Sequence, residues 1–450
     1  QIRANCFNCS FQSLYIVGLE GVAFFMQENF LHFIWEHQYF NKEDLVTTDG
    51  ESLNVFHTGY RNDHSGPDFS SSRLSIGAME WHRSTEIHIK ASEWRSHQHH
   101  HDPGYNKVIL HVVWQDDHSV FRQDGTSIPT LELKRRVAPE MIDRYQRLIR
   151  NRQSIPCSGQ WDLAEEVVKL SMLDRALFNR IESKAKKIQA LLEDTGNNWE
   201  EATYHWLVQN FGFKVNNDAF ACLAGKLPYQ ILNRHRTDIT SLESLLFGQA
   251  GFLDHNLEDE YHRRLAMEYQ FLAHKYDLSA KRMDRHQWRF LRLRPANFPT
   301  VRLAQLAQLI HRQANIFSLF RDHDFREYTS AFCGNVSNYW RNHYYFGKQH
   351  GKNAMRMGRA SAESLVINTA APILVAYGKA LDQPSYVEKA VQLLQSLKAE
   401  KNQIIRQWAA LGLRCRSAFD SQAMIELYNS FCKSKRCLSC NVGAHLIKTA

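Results

Sequence analysis

The chain has 450 residues, 44% hydrophobic and 12% aromatic, with 55 Lys and Arg against 47 Asp and Glu. That length exceeds one core and predicts two or three domains, while the hydrophobic content excludes a disordered or low-complexity chain. Nine cysteines, an odd number, exclude a disulfide scaffold and point to a reducing, cytoplasmic setting. No run of about 18 apolar residues occurs, so no membrane span is expected.

Residues 1–25 read as a non-native or disordered extension, because the chain begins at Gln1 and Met26 offers a natural start. Cys6 and Cys9 are discounted as metal ligands on the same ground. From Met26 to Tyr39, Phe30, Leu31, Ile34 and Trp35 recur at helical spacing. Short strands are then expected over 53–58, 73–80, 84–90, 107–114 and 128–133, with Asp124-Gly125 as a hairpin signal. Val108 to Val113 is apolar on both faces, as a central strand is. A helix over about 138–151 closes an α/β or α+β domain spanning 26–155.

Within that domain Thr85 to Lys90 alternates at period two. Ile87 and Ile89 are expected to face a core, and Glu86, His88 and Lys90 to share the opposite face, roughly 7 Å apart. Gly66-Pro67-Asp68-Phe69 precedes this strand. Asp68 and Glu86 could hold a divalent ion, with His88 or Lys90 orienting a water or taking its proton. The plainer reading makes Asp68 a turn cap and Glu86 with Lys90 a surface pair. Ten of the 23 histidines lie between His57 and His118, most densely in His97-Gln98-His99-His100-His101-Asp102. His97 and Asp102 are the candidate ligands there, although a polar loop explains the run equally. His111 sits inside the apolar strand, either as a satisfied core histidine or as a neighbour of Glu86.

From about 160 to 430 the pattern is helical throughout, without a repeat period. Residues 1–150 carry 15 Lys and Arg against 19 Asp and Glu, and the remainder 40 against 28. A basic second domain suits a polyanion. The segment Lys281 to Arg294 reads as a basic helix interleaved with aromatics. In it Arg285, Trp288, Arg289, Arg292 and Arg294 are candidates for gripping phosphates and stacking bases of DNA or RNA. Residues 431–450 form a tail with Cys432, Cys437, Cys440 and His445. Three thiolates and an imidazole at this spacing suit structural Zn²⁺. The fourth ligand could also be Cys157, Cys333 or Cys415, and a ligand that far upstream would make an iron–sulfur cluster an alternative.

The Pro67-Asp68 turn followed by the strand bearing Glu86 resembles the PD-(D/E)XK nuclease superfamily. The resemblance implies Mg²⁺ or Mn²⁺ held by Asp68 and Glu86, phosphodiester hydrolysis, and an auxiliary acid on the first helix, for which Glu36 is the candidate. The chain departs from that motif by placing His88 where the lysine belongs, with Lys90 two residues later. Nearly the whole chain also resembles a bacterial family known only as a domain of unknown function. The matching runs include Gly66-Pro67-Asp68-Phe69, Glu86-Ile87-His88, Leu246 to Leu253, Arg294 to Pro299 and the C-terminal cysteines. The leading expectation is a metal-dependent nuclease whose helical domain binds the strand. The alternatives are a non-catalytic nucleic-acid-binding protein with a degenerate nuclease-like domain, and a metal hydrolase of another substrate built on the histidine-rich loop.

Overall fold

The computed structural model describes residues 15–19, 22–62, 64–254, 258–349 and 355–449. Cys6 and Cys9 therefore lie outside the described residues. The chain divides into a sheet-containing unit, formed by residues up to Met172 together with Asn429 onward, and a helical unit, Leu173–Tyr428. The residues expected as a separate tail thus belong to the N-terminal unit, and the division falls inside the long helix Glu166–Asp194.

The N-terminal unit begins with an antiparallel pair, β1 (Tyr15–Leu19) and β2 (Val22–Met26). Helix α1 (Glu28–Glu36) follows and buries Phe30, Leu31, Ile34 and Trp35, the apolar set expected from spacing. The main sheet comprises β3 (Leu53–His57), β4 (Tyr60–Arg61), β5 (Phe69–Ile76), β6 (Met79–Lys90), β7 (Val108–Gln115) and β8 (Thr130–Glu132). Its order is β3-β5-β6-β7-β8, with β4 beside β5. The pairs through β5 and β6 are antiparallel, and β6, β7 and β8 run parallel.

The expected strand 73–80 is two strands. Gly77 takes φ +58° and turns the chain between them, a conformation a Cβ would strain. β7 is buried through Val108–Trp114, as its two-sided apolar run predicts. After β6 comes the short α2 (Glu93–Ser96), and α3 (Pro139–Arg150) buries Met141, Ile142, Tyr145 and Leu148 at helical spacing. Tyr145 stacks on Phe30 with centroids 4.3 Å apart. The C-terminal helix Asn441–Thr449 lies on α3, where Arg144 donates to the carbonyl of Lys448 at 3.1 Å.

The helical unit packs around Arg359–Ala380, whose apolar side chains are almost all buried. That helix is long and apolar enough to cross a membrane, yet 67% of its most apolar window is buried against the rest of the protein. It fills the role of a core helix. The run Leu246–Leu253 is buried, and its backbone anchors a neighbouring segment. Gln249 O accepts from Met283 N at 2.9 Å, and Ala250 O accepts from the Trp288 indole at 2.8 Å. In the run Arg294 to Pro299, Pro299 opens the helix Pro299–Arg312. Asn297 accepts from the buried Arg302 at 2.7 Å, so the run serves as a helix entrance.

The segment 281–294 corrects an expectation, for it is not a helix. Single turns at Ser279–Lys281, Arg285–Gln287 and Leu291–Arg292, the last with Arg292 at φ +64°, interrupt an irregular path. Helical spacing of its arginines is overridden by two anchors, Met283 and Trp288, which are 3% and 5% exposed. Arg285, Arg289, Arg292 and Arg294 remain exposed, but Trp288 sits between Phe220 and Phe252 and offers no face for stacking a base. Truncating it to alanine is expected to destabilise the helical unit by about 3–5 kcal/mol through the cavity and the lost indole hydrogen bond. Urea unfolding of Trp288→Ala measures this, and a loss below about 1 kcal/mol would contradict the anchor role.

Candidate metal centre

Glu86 and His88 project from the same face of β6, two residues apart as the pleat requires, with His88 Nε2 3.6 Å from Glu86 Oε1. Contrary to the expected half-exposed strand, this face is covered as well. Glu86 and His88 are 4% and 2% exposed, as deeply placed as Ile87 and Ile89 opposite them. The cover comes from α1, which packs against β6, and from the loop following α2.

Asp68 and Glu86 are locked together through backbone. The Asp68 amide donates to Glu86 Oε2 at 3.0 Å, and the Ile87 amide donates to Asp68 Oδ2 at 3.0 Å. This reciprocal pairing is set where β5 starts beside β6, with Phe69 opposite Thr85. It brings two carboxylates together in a partly dry site. Burial, reinforced by the Asp68 charge, holds the Glu86 carboxyl well above its ordinary range.

Two groups of ligand atoms surround this pair. Glu28, His32 and Asp68 form one, and His88, His97 and His99 the other; within each, the ligand atoms all lie within 4.8 Å of one another. Glu28 opens α1 and His32 follows one turn later, so both point from one helix face. His32 Nε2 is 3.3 Å from Asp68 Oδ2 and 3.8 Å from Glu28 Oε1. Burial raises the Glu28 carboxyl to about 7, with His32 opposing the shift and Asp68 adding to it. His97 closes α2, its amide bonded to Glu93 O, and Gln98 then takes φ +62°. That left-handed residue turns the chain so that His99 also reaches the group, its Nε2 3.4 Å from Glu86 Oε1.

Three of the imidazoles are shifted towards the neutral form. Burial first, and then neighbouring imidazoles, lower His88 well below its usual value, His99 to about 4 and His111 to about 3. His88 is therefore a poor proton acceptor at neutral pH, against the role expected for it. Its ring nitrogens face His111 Nε2 at 2.8 Å and His97 Nδ1 at 3.2 Å. The second spacing fits two ligands of one ion, since nitrogens about 2.0–2.1 Å from a tetrahedral metal are about 3.3 Å apart. The His111 contact would then fix the ring's tautomer from behind. Tyr105 stacks on His99 at 3.8 Å, and Trp94 meets His99 and His111.

Two observations test whether a cation fits. His32 Nε2 and His99 Nε2 are buried without a hydrogen bond while facing carboxylate oxygens. Where the ring nitrogen facing the carboxylate is the unprotonated one, lone pairs converge on one point, which a cation satisfies. Asp68, Glu28 and the exposed His97 open the centre to solvent.

Of the residues expected from sequence, Asp68, Glu86, His88, His97 and His111 meet here. Asp102 instead caps the turn at Gly104, accepting its amide at 2.8 Å. Glu36 is exposed at the far end of α1, and the helix-borne acid of the centre is Glu28. Lys90 ends β6 half-buried, its amide donating to Glu93 at 2.9 Å. Sequence reasoning missed Glu28, His32 and Tyr105, and it singled out the run containing His99 but preferred His97 and Asp102 within it. The Glu28 to His32 spacing of one helical turn was the available signal. Comparisons with curated proteins and with solved structures find no match. Residues 28–403 match the family described as Protein of unknown function (DUF2851), and the chain belongs to that family.

Proposed function

We propose that this protein is a metal-dependent hydrolase of phosphodiesters, with nucleic acid as its substrate. The observation that carries the reading is the interlocked Asp68–Glu86 pair flanked by the two ligand groups. A donor set rich in imidazole favours Mn²⁺, Fe²⁺ or Zn²⁺ over Mg²⁺, which prefers oxygen ligands and retained waters. Such an ion, when bound, lowers the pKa of a water and offsets charge developing on the phosphate. Asp68, Glu86 and His99 would hold it, with Glu28 and His32 on one side and His88 and His97 on the other. His97 is the exposed imidazole at the mouth, where it would add to the ligand group beside His88. His111 and Tyr105 orient His88 and His99, and α1 excludes water from behind. The exposed arginines of 285–294 supply phosphate contacts without sequence readout.

The test is cleavage of linear, circular and single-stranded DNA and of RNA with Mn²⁺, Mg²⁺ or EDTA. Mn²⁺-dependent products absent with EDTA and with Asp68→Ala are the expected result. Cleavage that survives Asp68→Ala combined with Glu86→Ala would overturn the reading. The replacement of the motif lysine by His88, within a cluster of imidazoles, favours one second reading, the same centre acting on a smaller phosphodiester. Hydrolysis of bis(p-nitrophenyl) phosphate with every nucleic acid left intact would select it.

A further inference from the structure

The thiols Cys432, Cys437 and Cys440 are buried and His445 lines a surface cleft with Val167 and Val168. Among the described residues they form no group of three ligand atoms within 4.8 Å of one another. The helical unit holds a better-formed site, a cavity of about 220 Å³ with Arg302 in its wall. Arg302 lies one turn into the helix Pro299–Arg312 and is 4% exposed. Its Nη1 donates to Gln305 Oε1 at 2.8 Å and its Nη2 to Asn297 Oδ1 at 2.7 Å. Both acceptors are neutral amides, and Nε is buried without a hydrogen bond. Burial alone lowers the guanidinium to about 10, with no carboxylate opposing the shift. A buried cation left with neutral partners is costly until a counter-charge reaches it.

The rest of the wall carries the same bias. Lys214 also lines the cavity, and none of the described residues lining it is acidic. Two helices begin at it. Pro299 opens Pro299–Arg312, Ser361 lies in the first turn of Arg359–Ala380, and neither helix has a side-chain cap at its start. Uncapped helix starts carry unsatisfied amides and the positive end of the dipole, which favour an anion. The apolar part of the wall is set by a tight turn after the helix Trp199–Phe211. There the Asn216 amide donates to Gly212 O at 3.0 Å, and a Cβ on Gly212 would stand 2.3 Å from Asn216 O. Asn216 fixes the turn to Arg289, accepting its amide at 2.8 Å and donating to its carbonyl at 2.9 Å. The turn carries Phe213, whose ring centre is 4.3 Å from the Arg302 guanidinium carbon, and Phe211 and Phe220 line the same cavity.

We propose that this cavity binds a small phosphomonoester, with its phosphoryl group on Arg302 and Lys214 and an aromatic body against Phe211, Phe213 and Phe220. Two side-chain cations and two helix starts favour a dianion over a carboxylate, and a guanidinium offers parallel N–H groups to phosphoryl oxygens. The cavity is smaller than the roughly 300–1,000 Å³ usual for drug-sized ligands, so it suits a body of one ring. Binding here does not depend on the proposed hydrolase activity, because none of these residues belongs to the metal centre.

The test is calorimetric titration of the metal-free full chain with phenyl phosphate, inorganic phosphate and benzoate. Saturable binding of phenyl phosphate is expected, at least tenfold tighter than either of the other two. Arg302→Gln should weaken it by about tenfold to a hundredfold, the scale of a hydrogen bond to a charged group. Because Arg302 also holds Asn297 and Gln305, two variants at less buried positions accompany it. Lys214→Gln should weaken binding several-fold. Ser361→Glu, which sets a carboxylate in the first turn of a helix where one is tolerated, should abolish it. No binding of phenyl phosphate to the wild type would overturn the proposal. Benzoate bound as tightly would overturn the phosphoryl preference, and inorganic phosphate bound as tightly would overturn the aromatic subsite. Affinity unchanged in both Lys214→Gln and Ser361→Glu would put the ligand elsewhere and overturn the site.

Discussion

Glu86→Gln is expected to lower Mn²⁺-dependent cleavage by about a thousandfold, the scale of losing a preorganised electrostatic group in a dry site. The substitution isolates charge from shape. A glutamine amide keeps an oxygen that can accept the Asp68 amide, now bonded to Glu86 Oε2 at 3.0 Å, so the start of β5 stays in register. What it removes is the negative charge that faces His99 and His88 at 3.4 and 3.6 Å. In the metal-free protein that charge is costly, since burial and Asp68 both oppose it. The variant should therefore melt at or above the wild-type temperature without metal, yet lose the stabilisation that added Mn²⁺ confers. Single-turnover cleavage together with thermal unfolding, each with and without Mn²⁺, measures both. Activity within tenfold of wild type would remove Glu86 from the centre.

The affinity for Mn²⁺ is expected to rise with pH, by about tenfold per unit or more below about pH 7, because the protons held by the raised carboxyls of Glu28 and Glu86 must leave for the ion to bind. The sign follows from the direction of the shifts. Burial raises Glu28 to about 7, so near pH 6 the metal-free protein holds a proton there. His99 is lowered to about 4 and His111 to about 3, so these two are already neutral and release none in this range. For folding the same shifts act in opposite directions. The raised Glu28 contributes stability that is present below the ordinary carboxylate range and lost as pH rises through about 7. The lowered histidines contribute stability present above their ordinary value and lost as pH falls through about 4. Calorimetric titration of Mn²⁺ in buffers of different ionisation enthalpy reads the proton release directly. Proton uptake, or affinity that falls as pH rises towards 7, would contradict the arrangement. Glu28→Gln should flatten the slope.

Both predictions rest on a centre of which only part was visible in the chain. The alternation of Thr85 to Lys90 dictates a strand and puts Glu86 and His88 on one face, because successive side chains of any strand point oppositely. Pro67-Asp68 before it marks a turn. These are local rules, and they hold here. Glu28 and His32 obey an equally local rule, but their helix carries so many apolar residues that the polar pair on its edge was read past. His99 depends on the left-handed Gln98, a conformation no spacing pattern announces.

The same divide separates the remaining outcomes. The apolar periodicities of α1, β7 and α3 determined those elements by sequence alone, as did the helical character of the long second unit, since burial of a repeating face is decided by residues two to four apart. The family runs determined membership. What surrounds Glu86 was decided by tertiary structure. α1 and the His97–His99 loop close over a strand face whose polar residues implied solvent, and only their convergence turns separate carboxylates and imidazoles into one site. Tertiary structure also decided that Lys281–Arg294 is irregular rather than helical, because anchoring Trp288 and Met283 outweighs the helical preference of its arginines. And it decided that the C-terminal segment joins the sheet-containing unit, a contact across so long a stretch of chain that it leaves no local period and is made by packing of the C-terminal helix on α3.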